Sequence, residues 1–405
     1  MMAAISAAYS GVPAVILERN EQFGKKLRIT GKGRCNITNH CDNNQLIANT
    51  PVNGRFLYSA FSAFNADDMI SFLENAGLPV KTERGNRVFP VSDSAADVVN
   101  TLVEQCKMLG CKFINGRAAK LLKENGRIVG VMTYDGVKID ADAVIICTGG
   151  LSYPTTGSSG DGYTLASSVG HSIVKPKPSL VPLSSPDSFC SDLMGLSLRN
   201  ISVKVEDKSS KSIIYTDFGE MLFTHFGLSG PVILSASSHM KDPKSGNYCI
   251  HIDLKPALTE EQLDKRLLHD FAENTNRDFS NSLSALLPRK LIPIFIERSG
   301  IAPNTKMHQI TREQRHRMLS LLKDFSVNVD GFRPISEAII TSGGVNVNEI
   351  VPKTMKSKLI DGLYFAGEVI DVDAYTGGFN LQIAWSTGWI AGHSAASEIL
   401  FGNDN

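Results

Sequence analysis

The amino-acid sequence predicts an α/β chain whose nucleotide-binding domain is assembled from both ends, with a β-rich part and a helical part inserted between them. Three observations predict it. The opening residues read as a small-residue helix followed by a buried strand ending in an acid. Glycine-rich blocks recur toward both termini, and the character of the chain changes after the proline-rich stretch at 175–182. A helix, a strand and a terminal acid in that order belong to dinucleotide-binding folds.

Length and composition set the frame. At 405 residues the chain is long enough for two or three units. Apolar residues make up 42% and charged residues 20%, a globular balance. Its 41 basic residues match 41 acidic ones, so no general electrostatic attraction to nucleic acid or acidic membrane is written into it. The seven cysteines form no CxxC pair and no regular spacing, which predicts a reducing, cytoplasmic setting. No uninterrupted apolar run approaches the ~20 residues that span a bilayer. The first 17 residues lack the basic start of a signal peptide.

Taken in order, Met2 to Gly11 reads as the helix and Val12 to Glu18 as the strand. A second helix is predicted over Ala95 to Leu109, started by Ser92 and Asp93 and ended by Gly110. Strands are predicted at Lys112 to Leu122, Arg127 to Tyr134 and Ala143 to Cys147, the last running into Thr148-Gly149-Gly150. Beyond the prolines, Val203, Val205, Tyr248, Ile250, Ile252 and Leu254 alternate as in an antiparallel sheet. Thr259-Glu-Glu-Gln262 and Thr311-Arg-Glu-Gln314 are capping boxes, each opening a helix. Phe325, Val327 and Val329 resume the strand alternation. The predicted division is a nucleotide domain at 1–182 and 336–405, a β-rich domain at 183–256 and 325–335, and a helical subdomain at 257–324.

Two segments carry chemistry. Glu18 stands where a dinucleotide site places its ribose ligand, although strands often end in an exposed acid without binding anything. The strand and G-x-G-x-x-G turn that belong before such a helix are missing from the sequence, and the helix begun at Met1 makes little sense without them. A start inside a longer gene is the favoured explanation, the other being a short chain that binds cofactor weakly. The block Gly24 to Asn36 packs glycines and cations into thirteen positions, which suits an anion; an ordinary solvated basic loop is the other reading. It lacks the spacing of a nucleoside-triphosphate loop.

Gly24-Lys-Lys26 with Thr30-Gly-Lys-Gly-Arg-Cys-Asn36 resembles the aminoacetone-oxidase-like flavoproteins, the group that includes the 3-dehydro-bile-acid Δ4,6-reductases. Matching blocks follow in order: Arg87-Val-Phe-Pro90, Cys147-Thr-Gly-Gly150, Thr224-His-Phe-Gly-Leu-Ser-Gly-Pro231, Thr341-Ser-Gly-Gly-Val345, Phe365-Ala-Gly-Glu368 and Gly377-Gly-Phe-Asn-Leu-Gln382. The resemblance implies a Rossmann-like FAD domain of the two-dinucleotide-binding-domain type, with β-barrel-like and helical insertions. By position it implies that Glu18 holds the adenosine ribose and that Arg28, Thr30, Gly31 and Arg34 line phosphates and flavin. Ala118 would meet the adenine through its backbone, and Thr148, Gly149 and Gly150 would close over the dinucleotide.

At the other end, Gly367 and Glu368 close a strand, and Gly378, Asn380 and Leu381 open the last long helix. A helix amino end at the flavin would stabilise negative charge on the reduced ring, with Glu368 and Asp371 binding ribityl or phosphate-linked groups. Turn formation alone would also account for these glycines. Two side chains are catalytic candidates. His225 suits proton transfer by its near-neutral pKa, or is a hydrogen-bonded histidine at a turn; Tyr375 meets substrate, or is a packed aromatic. Cys35 is read as packing rather than redox-active.

The function expected is hydride transfer between reduced nicotinamide, NAD(P)H, and a small organic substrate such as an activated double bond. Neither nucleic acid nor membrane is expected as a partner. The alternatives are an oxygen-using flavin oxidase, a flavin-dependent RNA-modifying protein, and a noncatalytic truncated form.

Overall fold

Small side chains decide how the first helix, Met2–Tyr9, is buried. It lies against the C-terminal helix Phe379–Phe401, and Ser6 Oγ donates to the Trp389 carbonyl at 2.6 Å. The approach depends on Gly392, where a Cβ would sit 2.0 Å from the carbonyl oxygen of Ala3. At Gly388, one turn earlier, the nearest atom would be 3.4 Å away.

The computed structural model describes residues 1–241, 243 and 246–402. They divide into two units, Met1–Ser179 with Pro334–Asn405, and Leu180–Arg333. In the first, Val15–Glu18 pairs in parallel with Lys112–Asn115, and Val144–Ile146 with Leu363–Phe365. Parallel strands are buried on both faces when helices cover them, and Leu363, Tyr364 and Phe365 are all buried. Two predicted elements start or break differently. Ser94, not Ser92 or Asp93, caps Ala95–Met108 by accepting from the Asp97 amide, because Asp93 adopts φ +54° and turns toward Lys81 and Arg34. The strand expected over 112–122 is two strands. The parallel pairing ends as the Gly116 amide meets the Glu18 carbonyl, and Ala118–Glu124 then joins Arg127–Thr133 and Lys138–Asp140 in an antiparallel meander. Gly116 sits at that change of partner, where a Cβ would press to 3.1 Å from Leu17.

The proline-rich stretch is itself a strand, Ile173–Ser179, paired antiparallel with Ile340–Val345. An irregularity between Val174 and Lys177 accommodates Pro176, which has no amide to give the ladder.

In the second unit seven strands form one sheet, ordered Phe325–Val329, Tyr248–Asp253, Ser197–Asp207, Ser212–Thr224, Gly227–Ser229, Leu183–Ser184 and Gly331–Phe332. Its apolar face shares a core with the helices at 257–324: Val203, Val205, Ile250 and Val327 lie buried with Leu263, Leu267, Phe295 and Leu322. Both predicted capping boxes are present, at Thr259 with Gln262 and Thr311 with Gln314. Among the described residues, no helix is long and apolar enough to cross a membrane.

A buried histidine locks one corner of the first unit. His171 Nε2 lies 2.7 Å from Ser357 Oγ, and Nδ1 lies 3.2 Å from Glu349 Oε2. Ser357 Oγ accepts from the amides of Leu359 and Ile360, so its own proton goes to Nε2 and the imidazole is held neutral. The three side chains have the order of a hydrolytic triad, but the serine lone pairs are occupied, and His171 and Ser357 are buried.

Two outcomes follow for stability. Gly392→Ala forces a backbone clash and lowers stability by about 1–3 kcal/mol, whereas Gly388→Ala, which adds helix propensity without a clash, does not. Urea unfolding of both variants checks this. Burial lowers the His171 pKa below its unfolded value of about 6.5. The contribution is therefore complete above about pH 6.5 and lost as pH falls below it, because the unfolded chain takes up a proton that the folded chain refuses. Urea midpoints should drop from pH 7.5 to 5.5, and His171→Gln should flatten that drop.

Candidate functional site

The carboxyl ends of parallel strands are where open α/β sheets bind ligands. Here those ends present Glu18, Gly116, Cys147 to Gly150, and Gly367 with Glu368. The loop after Val144–Ile146 folds back onto the end of Val15–Glu18. Asn20 Nδ2 donates to the Thr156 carbonyl at 3.0 Å, and Arg19 bonds Ser159 and Asp161. Glu18 Oε1 accepts from the amide and side chain of Asn20, at 2.9 and 2.8 Å. Asp161 also takes a fork of two bonds from Arg117, at 2.7 and 2.8 Å, which holds its carboxyl below the usual range.

Glu368 is the node of the site. Its Oε2 pairs with Lys26 Nζ at 2.6 Å, and its Oε1 accepts from Ser152 Oγ at 3.0 Å and the Thr341 amide at 2.9 Å. Lys26 also donates to Ser152 Oγ at 2.7 Å, and Thr341 Oγ1 accepts from the amides of Leu151 and Ser152. The Thr148-Gly-Gly150 turn is thus tied to residues nearly 200 positions later. No room is left for side chains there: a Cβ on Gly150 would lie 2.4 Å from Thr341 Oγ1, and one on Gly162 2.1 Å from Thr148 Oγ1.

The long helix is bolted down at its amino end. Gly378 precedes it at φ +100°, where a Cβ would lie 2.4 Å from the backbone of Thr38. Gln382 accepts from Thr38 Oγ1 at 2.6 Å, Trp385 Nε1 donates to the Ile37 carbonyl, and Asn39 Nδ2 donates to the Gly377 carbonyl. Asn380 accepts from the Ala374 amide and donates to the Ala374 carbonyl, fixing the segment that carries Tyr375. The 23-residue helix has no side-chain cap at Gly378, and the positive end of its dipole lies there.

Several polar groups of the first unit are buried. Asp371 accepts from Asn53 Nδ2 at 3.0 Å, and burial raises its pKa despite that bond. Asp373 is almost wholly enclosed, its Oδ1 has no hydrogen-bond partner, and burial raises its pKa too. Tyr163 Oη is likewise buried without a partner. Cys147 is exposed, and desolvation pushes its thiol up.

Several residues singled out from the sequence sit elsewhere or are engaged otherwise. Arg28 bonds the Phe23 carbonyl and Asn100, and Arg34 is held by Glu83 and Asp93 above the Phe89 ring. In this structure the charge of Arg34 is paired with two acids of its own domain, and Arg28 is held by neutral acceptors. Thr30 Oγ1 bonds the Leu27 carbonyl; from it the chain runs through left-handed Gly31 and Lys32, which expose their backbone. Ala118 starts its strand half-buried, and Leu381 lies half-buried on the helix's first turn. Cys35 is enclosed, with its thiol pushed up to about 12 by burial, as befits packing. His225 lies in the second unit, exposed. The sequence reading missed Lys26, Ser152 and Thr341, whose only local signals were a lysine in a basic block and two hydroxyls beside glycines. Among the described residues no group of three or more His, Cys, Asp or Glu is placed to hold a metal.

The arrangement suits FAD in parts. A Cβ-free cradle, an anchored helix amino end and an acid after the second parallel strand are the donor set of an extended dinucleotide. Gly149, Gly150, Lys26, Glu368 and the amides after Gly378 are the groups that would hold it.

Comparison with known proteins agrees with the geometry. The chain is 31% identical over 401 residues to the 3-dehydro-bile acid delta(4,6)-reductase of Clostridium scindens, covering 98% of this chain and 96% of that protein. It is 28% identical over 393 residues to the ribosomal RNA dihydrouridine synthase of Escherichia coli, covering 96% and 93%. A quinol-fumarate reductase structure superposes with a TM-score of 0.50 at 13% identity, over all of this chain and 70% of that one, and shows the fold alone. The HI0933-like protein Rossmann domain matches residues 1–394, and the chain belongs to that family of FAD-dependent, oxidoreductase-type Rossmann proteins.

Proposed function

We propose that this protein is an FAD-dependent reductase that saturates a carbon–carbon double bond conjugated to a carbonyl, with NAD(P)H as electron donor. The observation that carries this reading is the convergence of Lys26, Gly149, Gly150 and Glu368 at the strand ends, with a helix amino end fixed at Gly378. The relatives support the reaction. A delta(4,6)-reductase acting on a 3-dehydro acid, and a synthase making dihydrouridine, both saturate a double bond conjugated to a ring carbonyl.

FAD, when bound, supplies the two-electron redox chemistry. The chain does the rest. Glu18 accepts from ribose hydroxyls, Lys26 offsets phosphate charge, and Gly378, Asn380 and Leu381 present the helix amino end, whose dipole favours negative charge. Arg28, Thr30, Gly31, Arg34, Ala118, Thr148, Gly367 and Asp371 complete the proposed cofactor surface, with Arg28 and Arg34 shaping the loop through their own partners. The reduction also needs a proton on carbon. Tyr375, fixed between Asn49 and Asn380, is the side chain we assign to supply it. Seven cysteines without a disulfide suit a reducing compartment, the cytoplasm.

The balance of 41 basic and 41 acidic residues favours a small molecule over RNA. RNA is the second reading, carried by the synthase relatives in Escherichia coli and Haemophilus influenzae. Salt-sensitive retention of ribosomal RNA would favour it.

The visible spectrum of the purified chain titrated with FAD tests the first half of the proposal. A bound-flavin spectrum that bleaches anaerobically with NADH or NADPH is expected. An unperturbed free-flavin spectrum would sink the cofactor reading, and fast reoxidation in air with no other acceptor would favour an oxidase. Cys147 gives an independent readout. FAD at ten times its dissociation constant should slow maleimide labelling of this thiol about tenfold, by mass action. Peptide mass spectrometry would detect it, and unchanged labelling would move the cofactor away from the Cys147 to Gly150 turn.

A further inference from the structure

In the first unit, Val80–Glu83 and Arg87–Pro90 form a hairpin with Glu83 opposite Arg87, and with Arg84, Gly85 and Asn86 at its tip. Gly85 and Asn86 carry the turn, at φ +74° and +57°, conformations that glycine and asparagine accept. The turn therefore asks nothing of the two arginines that flank it. It is nevertheless held from outside through both of its carbonyls: the His40 amide donates to Asn86 at 2.7 Å, and Asn39 Nδ2 donates to Gly85 at 3.0 Å. The same Nδ2 donates to the Gly377 carbonyl at 3.1 Å, so one side chain ties the tip to the amino end of the long helix.

Charge at this tip does not balance. Opposite charges facing each other across two strands ordinarily pair, but Glu83 is taken by Arg34 at 2.5 Å, and Asp93 by Arg34 and Lys81. Arg87 spends its Nε on the Arg84 carbonyl at 3.0 Å, which sets the two residues together and leaves its terminal nitrogens uncommitted. Both arginines are exposed, and among the described residues neither has an acid within ion-pair distance. In a chain of 41 cations and 41 acids, two neighbouring guanidiniums without an acid are a local surplus of positive charge on a turn fixed in place.

We propose that Arg84 and Arg87 bind the 2′-phosphate of NADPH and so set a preference for NADPH over NADH as electron donor. This rests on the reductase reading and names its reductant. A phosphate monoester carries a charge of about −1.5 to −2 near pH 7, which matches two guanidiniums whose planar donors suit phosphate oxygens. Dinucleotide folds that take NADP use an arginine in the same way. The place fits as well: the tip is tied to the helix end at which the reduced ring is proposed to lie, and the nicotinamide has to reach that ring. RNA would ask for a row of phosphate contacts, whereas the neighbouring cations Arg34 and Lys81 are already paired.

Adenosine 2′,5′-bisphosphate and 5′-AMP differ by that phosphate alone. Calorimetry on the full chain in excess FAD, which fills the flavin's own adenosine subsite, measures recognition without turnover. The 2′,5′-bisphosphate should bind about tenfold tighter than 5′-AMP, a difference of about 1.4 kcal/mol. It should also bind tighter than adenosine 3′,5′-bisphosphate, which carries the same charge elsewhere on the ribose. Arg84→Gln combined with Arg87→Gln should bring all three ligands to one weak affinity, with circular dichroism and melting temperature unchanged. Arg87→Lys should keep part of the preference, since an ammonium supplies charge without the fork. In anaerobic bleaching of the flavin, KM for NADPH should lie about tenfold below that for NADH, and the double variant should show no difference.

A preference for the 2′-phosphate that the double variant keeps would overturn the proposal. So would equal binding of the 2′,5′-bisphosphate and 5′-AMP, or of the two bisphosphates. An RNA fragment whose salt-dependent binding the double variant weakens, while the bisphosphate fails to bind, would overturn it too. Bleaching by NADH and NADPH with one KM would sink this site and leave the reductase reading standing. Should the 2′-phosphate preference hold and vanish in the double variant while neither nucleotide bleaches the flavin, this site stands and the reductase reading falls.

Discussion

The carboxylate of Glu368 is the contact on which the strand-end region of the first unit depends. It receives Lys26 from the amino-terminal block, Ser152 from the glycine turn and the Thr341 amide from a late strand. A partly buried carboxylate has to find donors, because leaving it unpaired away from water costs several kcal/mol. Satisfying that one group draws three distant segments to the ends of the parallel strands. The glycines follow from it, since Gly150 has a hydroxyl where its Cβ would be.

The C-terminal helix imposes the second constraint. Its middle packs on Met2–Tyr9 through Gly392, while its first turns are tied to Thr38, Ile37 and Phe64. A helix fixed along its length keeps its amino end in place without ligand. That end can then act on charge at no cost of reorganisation. The buried faces of Ile383, Trp385 and Ile390 leave this helix little freedom to slide.

Features set by short-range rules were legible in the sequence. The two capping boxes lie within four residues, and the helix-strand-acid opening within the first eighteen, so local hydrogen bonding and periodicity announce them. The long strand Ser212–Thr224 was not read, because one end is solvated on both faces and shows no clean alternation. Arg28 and Arg34 looked like ligand groups because charge in a glycine block suits an anion. Their partners Asn100, Glu83 and Asp93 come from 49 to 72 positions away, and nothing local foretells them.

The sequence by itself determined the family, the α/β class, and the glycines and acids from which a dinucleotide site is built. Those follow from residue types at fixed spacing, which set backbone freedom and local charge. Only the tertiary structure decided which charges meet: that Lys26 faces Glu368 across 342 positions, that Arg34 is spent on Glu83 and Asp93, and that Arg333 covers Phe226. Pairing of that kind depends on which donors crowd a partly desolvated acceptor once the chain has closed, and sequence separation carries no record of it.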